Sequence, residues 1–199
     1  MTDKRVERPE RPRIAPMGNP SAEAVRSLHV LNTIRDDAPT LNIFATLARN
    51  PLLLDRFGQF ATFLLKEGAL PGRERELVIL RVGWRMGSEY EFGQHTIEAL
   101  REGLTPEEVG AVAQEGVQPD CWSTDDLALM AMADELCLHD GVSDDTWTAL
   151  SRRWDEAELL ELVVLAGAYR MVCGLLNAVG IELDEGIPGW PATAGPAAS

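Results

Sequence analysis

Cysteine is scarce in this chain, and the three present, Cys121, Cys137 and Cys173, lie at wide spacings with no CxxC and no zinc-ligand pattern among them. Such a scattered, odd-numbered set argues against a disulfide framework and a structural zinc site, and the three thiols are expected to be reduced and mostly buried. Cations are also in short supply: 18 Lys and Arg stand against 32 Asp and Glu, a formal net charge of -14. The acidic residues are dispersed rather than gathered in a tail. That charge opposes phosphate backbones and anionic lipid surfaces, so neither a nucleic-acid partner nor a membrane partner is expected. An anionic small substrate fits only if a local basic group receives it. No apolar stretch follows Met1; the opening TDKRVERPERPRIAPMGNP is charged and rich in proline, so no signal peptide is expected, and the cytoplasm is the expected compartment. There is no Walker loop, no GxGxxG after a strand, no HExxH, no GxSxG, and no cluster of carboxylates and histidines suited to iron or zinc. No metal and no cofactor are therefore expected.

What is present is a foldable chain. Across its 199 residues, 45% are hydrophobic and 25% charged, an ordinary globular balance with enough length for one well-buried core. Residues 1–20, with four prolines among alternating charges, read as a flexible arm, and residues 186–199 as a loose tail. Between them, residues 21–185 carry helical signals throughout and no period-2 strand, which predicts an all-α bundle. Ser21 opens a helix to about Asp36, and Asn50-Pro51 opens another whose apolar positions recur up to Gly68. The segment from Pro71 to Met86 is apolar nearly all round, which implies a central helix or a subunit contact. Gly87 stops it, and Ser88 to Arg101 follows. Thr105-Pro-Glu-Glu108 combines an N-cap, an N1 proline and an N3 glutamate. Further helices are predicted from Thr124 to His139, Ser143 to Trp154 and Asp155 to about Val179. The most apolar run, Leu159 to Val172, is interrupted by Glu161 and Arg170 and reads as a core helix.

Residues 76–86, ELVILRVGWRM, align with residues 161–171, ELVVLAGAYRM, at six of eleven identical positions. This is a degenerate internal helix repeat. Beyond it the copies diverge: Ser88, Glu91 and His95 of the first face Cys173, Leu176 and Gly180 of the second. Spacings of three and four put Ser88, Glu91 and His95 on one helical face, where a histidine beside a carboxylate suits proton transfer. The same letters also satisfy a capping box, Ser88-Glu-Tyr-Glu91, which is a purely structural use of Ser88 and Glu91. Glu76 is a further candidate acid, although its repeat counterpart Glu161 argues for a shared structural role such as accepting from an arginine.

The stretch from Arg73 to His95, RERELVILRVGWRMGSEYEFGQH, and the following GLTPEEV resemble the carboxymuconolactone decarboxylase and alkyl hydroperoxidase D family, over roughly residues 40–185. The resemblance implies an alkyl hydroperoxidase D-like helical bundle that assembles as a homo-oligomer, a trimer or hexamer. In the peroxidase branch a glutamate is followed by CxxC and a histidine; by spacing these positions are Glu76, Ser88, Glu91 and His95. Both cysteines are absent, so peroxidase turnover through a disulfide at this site is not expected. The remainder resembles the cofactor-free decarboxylase branch and implies an acid-base enzyme. Its substrate would be a small carboxylated or enolisable compound, decarboxylated or isomerised. His95 is then the general acid or base, Glu91 its orienting partner, Glu76 a second relay group and Ser88 a hydrogen-bond donor. Trp84, Tyr90 and Arg85 are candidates to line or bind, with Arg81 or Arg85 either receiving a carboxylate or pairing with Glu76. Two alternatives stand beside this reading: a peroxidase-like protein using a remote cysteine such as Cys173, and a non-catalytic oligomeric binding or scaffold protein.

Overall fold

Helix starts written into the sequence are used as caps in the computed structural model, which describes residues 7–34, 39–116, 121–192 and 194. Asn50 accepts from the Leu53 N–H at 3.1 Å, and Pro51 sits in the first turn, where its missing N–H costs nothing. Thr105 and Glu108 form a complete capping box: the Glu108 N–H donates to Thr105 Oγ1 at 3.1 Å, and the Thr105 N–H donates to Glu108 Oε2 at 2.7 Å. The described helices are α1 Ala22–Ile34, α2 Asn42–Leu47, α3 Pro51–Thr62, α4 Gly72–Arg85, α5 Glu89–Arg101, α6 Pro106–Val112, α7 Thr124–His139, α8 Asp144–Leu150 and α9 Glu156–Val179. No strand occurs among the described residues, in keeping with the expected all-α class. The expected end of α1 near Asp36 lies outside them. α2 was not foreseen, because six residues are too few to show a period. The helix expected to run to Gly68 leaves α geometry at Thr62 and closes with a π-helical turn, Phe63–Glu67, in which the Gly68 N–H reaches Phe63 O at 2.8 Å.

The chain divides into two units. One comprises Arg8–Gly68 and Leu176–Gly186. In it α1 packs on α3, and the proline-rich segment runs alongside as extended chain, its Arg13 N–H donating to Val179 O at 2.8 Å and its Met17 N–H to Ala45 O at 3.0 Å.

The other unit comprises Met1–Glu7, Ala69–Leu175 and Ile187–Ser199. α4 is its axis, packed on α5, α6 and α7, and every residue from Glu76 to Arg85 is buried. Leu77, Val78, Ile79, Leu80 and Val82 are completely covered, each worth roughly 1.5–3 kcal/mol. Of the two uses the all-round apolar pattern allowed, central helix is the one realised: α4 is covered inside the chain. Its arginines are neutralised from neighbouring helices. Arg81 and Arg85 both grip Asp134 of α7 with N···O distances of 2.7–2.8 Å, and both guanidinium groups lie over the Trp84 ring.

α9 turns Leu162, Leu165, Ala166, Tyr169 and Cys173 inward and leaves Leu160, Val164, Gly167, Met171 and Gly174 on the outside, a stripe at spacings of four and three. Among the described residues α9 alone is long and apolar enough, by length and composition, to cross a membrane; its inward face makes it a core helix of this unit. After Ile187 the chain lies against α5. The Pro188 carbonyl sits where a Cβ on Gly93 would be, the Trp190 N–H reaches Glu89 Oε1 at 3.3 Å, and the Trp190 and Phe92 rings are 5.0 Å apart. Of the cysteines only Cys173 is buried; Cys121 is exposed and Cys137 half-buried, which corrects the expectation that most would be covered.

Candidate functional site

The connection between α4 and α5 sets the site. Gly87 adopts φ 61°, a left-handed conformation that glycine takes without strain. Its N–H returns to Trp84 O at 3.0 Å, and the Ser88 N–H reaches Gly83 O at 2.9 Å, the paired bonds of a Schellman turn. This spends the Ser88 N–H. Glu91 therefore has no amide to accept from at the N-cap, and the capping box spelled by Ser88 and Glu91 does not form: Ser88 occupies the cap position without a side-chain cap bond. The turn also folds α5 back along α4, which carries His95 to Glu76.

Freed from capping, Glu91 joins a line of charge. His95 Nδ1 lies 2.6 Å from Glu76 Oε2, and His95 Nε2 lies 3.1 Å from Glu91 Oε1. Both ring nitrogens thus face carboxyl oxygens, an arrangement that with both carboxylates ionised is satisfied when each nitrogen carries a proton. The three residues are nearly covered, with 1% of Glu76, 5% of Glu91 and 8% of His95 exposed. Burial works against the imidazolium, but the Glu76 charge and hydrogen bond, followed by those of Glu91, outweigh it and raise the His95 pKa to about 10. Burial likewise pushes the Glu76 carboxyl up, and the His95 charge and hydrogen bond, with help from Arg75, hold it below its ordinary value. Arg75 Nε donates to Glu76 Oε1 at 3.2 Å, and Arg75 Nη2 to Glu102 Oε1 at 3.2 Å.

α9 closes the site. The Tyr169 ring meets His95 edge-on, with centroids 5.0 Å apart and planes at 88°. Burial and the Glu91 and Glu76 charges push the Tyr169 hydroxyl well above its ordinary pKa. Cys173, one turn further along, is completely covered, and burial with the Glu91 charge raises its thiol as well, while the nearby Ser88 hydroxyl acts in the opposite sense. Ser88 and Cys173, equivalent positions of the internal repeat, are thereby neighbours. Ser88 Oγ is fully buried and, apart from a weak contact with the Cys173 thiol that falls short of hydrogen-bond geometry, has no protein hydrogen-bond partner. An unpaired buried hydroxyl costs about 1–3 kcal/mol and calls for an explanation, of which a role toward a bound molecule is one.

Glu76, Ser88, Glu91 and His95, singled out from the sequence, are brought together. Trp84, Tyr90 and Arg85 are placed elsewhere. Nine residues, two and a half helical turns, put Arg85 on the opposite face of α4 from Glu76, where Asp134 and Glu115 take its charge and Trp84 lies beneath it. Tyr90 is buried on a different face of α5 from the Ser88, Glu91 and His95 row. The arginine that pairs with Glu76 is the adjacent Arg75, rather than Arg81 or Arg85. The expected kinship of Glu76 and Glu161 also fails, because Glu161 accepts from the Ala69 and Leu70 backbone N–H groups at 3.0 and 3.3 Å. Sequence reasoning left Tyr169 out of the site. The repeat held the signal, since Tyr169 is the counterpart of Trp84 and lies four residues before Cys173 on the same face of α9.

The carboxymuconolactone decarboxylase family model matches residues 51–135. No curated protein sequence matches the chain significantly. Among solved structures, the chain is similar to a peroxidase-related protein with an alkylhydroperoxidase AhpD core from Ralstonia eutropha JMP134, at 18% identity over 86% of this chain and 93% of that one, with a TM-score of 0.74. A peroxidase-related protein from Silicibacter sp. TM1040 superimposes at a TM-score of 0.75 with 14% identity, covering 92% of this chain and 96% of that one. The debrominase Bmp8, solved as a variant in complex with 2,3,4-tribromopyrrole, aligns at 15% identity and a TM-score of 0.73 over 88% of this chain and 94% of its own.

Proposed function

We propose that this chain, whose residues 51–135 match the carboxymuconolactone decarboxylase family model, is a cofactor-independent acid-base enzyme acting on a small molecule by proton transfer. The observation that carries the proposal is the buried line Glu76–His95–Glu91, closed at 2.6 and 3.1 Å beside an unpaired hydroxyl. Glu76 fixes the ring and keeps it charged. Glu91, whose other oxygen is not committed to the ring, is the group that exchanges a proton with substrate, and the His95 imidazolium positions it by donating across the 3.1 Å contact. This revises the expectation that Glu91 only orients His95. Ser88 Oγ is the donor that receives a substrate oxygen. That a debrominase of this fold has been solved with 2,3,4-tribromopyrrole supports a small-molecule substrate. Redox turnover through Cys173 draws no support from the geometry, because its thiol is fully covered and held protonated.

The test is a thermal-shift and calorimetric screen of small aromatic and lactone carboxylates and enolisable ketones against the wild type and His95→Ala. Ligands that stabilise the wild type and lose that effect in a folded His95→Ala protein support the reading. Ligands that bind both proteins equally remove His95 from the site and leave a binding or scaffold role.

A further inference from the structure

Every arginine of α4 is engaged. Arg73 contacts Asp126 and Glu108 at 2.6 Å each, Arg75 contacts Glu76 and Glu102, and Arg81 and Arg85 share Asp134. Around His95, therefore, two carboxylates flank one imidazolium, and among the described residues the one guanidinium that touches the line is divided between Glu76 and a further acid, Glu102. The cluster of Glu76, His95 and Glu91 carries a net negative charge and offers no uncommitted cation. What it does offer is an uncharged donor, Ser88 Oγ, buried and without a protein partner, at the start of the helix that carries Glu91 one turn later.

Resting on the acid-base reading above, we propose that the substrate is an uncharged carbonyl compound with an acidic proton on a carbon next to the carbonyl, a ketone or lactone without a carboxylate at the reacting end. A carboxylate placed here meets two like charges in a poorly solvated site whose imidazolium and guanidinium are already paired, whereas a neutral carbonyl oxygen satisfies the Ser88 hydroxyl without adding a third like charge. In the chemical step a Glu91 carboxylate oxygen takes the proton from the α-carbon. The C–H electron pair becomes the carbon–carbon double bond of the enolate, and the carbonyl π pair moves onto oxygen, where the Ser88 O–H donates to it. Glu91 exchanges the proton it has taken with solvent and returns one to the same carbon or, where a conjugated double bond extends the enolate, to its far carbon, which releases an isomer. No electrons leave the substrate and no co-reactant is consumed.

The experiment measures binding by calorimetry, and solvent-deuterium incorporation by NMR, for five- and six-membered cyclic ketones and lactones and for carboxylates of the same rings. Wild type, Glu91→Gln, Ser88→Ala and His95→Gln are compared. The expected result is deuterium incorporation into the neutral compounds and at least tenfold weaker binding of the carboxylates. Glu91→Gln narrows that gap and abolishes exchange, and Ser88→Ala weakens the neutral ligands. Carboxylates that bind as tightly as the neutral compounds and react in a His95-dependent way overturn the proposed substrate class and leave the acid-base reading standing. Neutral compounds that bind without any dependence on Glu91 or His95, or no binding and no exchange by either series in the folded wild type, overturn both.

Discussion

The imidazolium of His95 gives the sharpest quantitative test. In the unfolded chain it releases its proton near pH 6.5, and in the native protein near pH 10. Each tenfold gain in proton affinity is worth about 1.4 kcal/mol, so the full difference corresponds to about 5 kcal/mol, a large share of the stability of an ordinary domain. Because the native value is raised, the contribution is fully present below pH 6.5, declines as the pH rises and is exhausted near pH 10. At the acid end the depressed Glu76 carboxyl works the other way: its share of the same ion pair is present above about pH 4.5 and is lost as the pH falls through its native value. Stability from urea unfolding should therefore fall between pH 7 and pH 9 at a slope approaching 1.4 kcal/mol per pH unit. Glu76→Gln, which leaves only the Glu91 contact, should be less stable at pH 7 and show a shallower slope over that range. The imidazole resonances should remain those of the doubly protonated ring at pH 8 in the wild type and titrate at lower pH in the variant. A wild-type ring that titrates near pH 6.5, or stability that is flat from pH 7 to 9 and indistinguishable from that of Glu76→Gln, refutes the charged line Glu76–His95–Glu91.

Other outcomes follow from single contacts. Ser88→Ala, at a helix N-cap where loss of a capping serine usually costs about 1 kcal/mol, should instead raise stability, by up to about 1–3 kcal/mol, because no cap bond is lost and an unpaired buried hydroxyl is removed; a full capping penalty in chemical denaturation contradicts that geometry. Asp134→Ala leaves Arg81 and Arg85 without their shared partner and should cost about 3–5 kcal/mol, read as a lower denaturation midpoint with an unchanged slope. In the native protein a thiol reagent should modify Cys121 at once and Cys173 only on unfolding; prompt reaction at Cys173 contradicts its burial. Assembly as a homo-oligomer, proposed as a trimer or hexamer, would cover the outer stripe of α9, and Val164→Glu should then lower the mass toward the 21.8 kDa of one chain. A single-chain mass for the wild type at micromolar concentration removes that proposal.

The internal repeat and the one-face spacing of Ser88, Glu91 and His95 are properties of a linear string, and they were legible before any coordinates. The central place of α4 was half legible: an all-round apolar helix must be covered, but the string does not say by what. The arginine partners were not legible, because a helix sends Arg75 to one face and Arg81 and Arg85, four residues apart, to another, and which acids meet them depends on where α7 and Glu102 come to lie. Thr105-Pro-Glu-Glu108 and Ser88-Glu-Tyr-Glu91 make the point most clearly, because they present the same local pattern. The first caps its helix as written, since the Thr105 N–H is available to Glu108. The second does not, because the Schellman turn at Gly87 has already committed the Ser88 N–H to Gly83, and Glu91 is left to meet His95. Sequence alone determined which groups share a helix face; only the tertiary structure decided which of them had backbone partners and which remained for chemistry, because a hydrogen-bond donor can be spent only once.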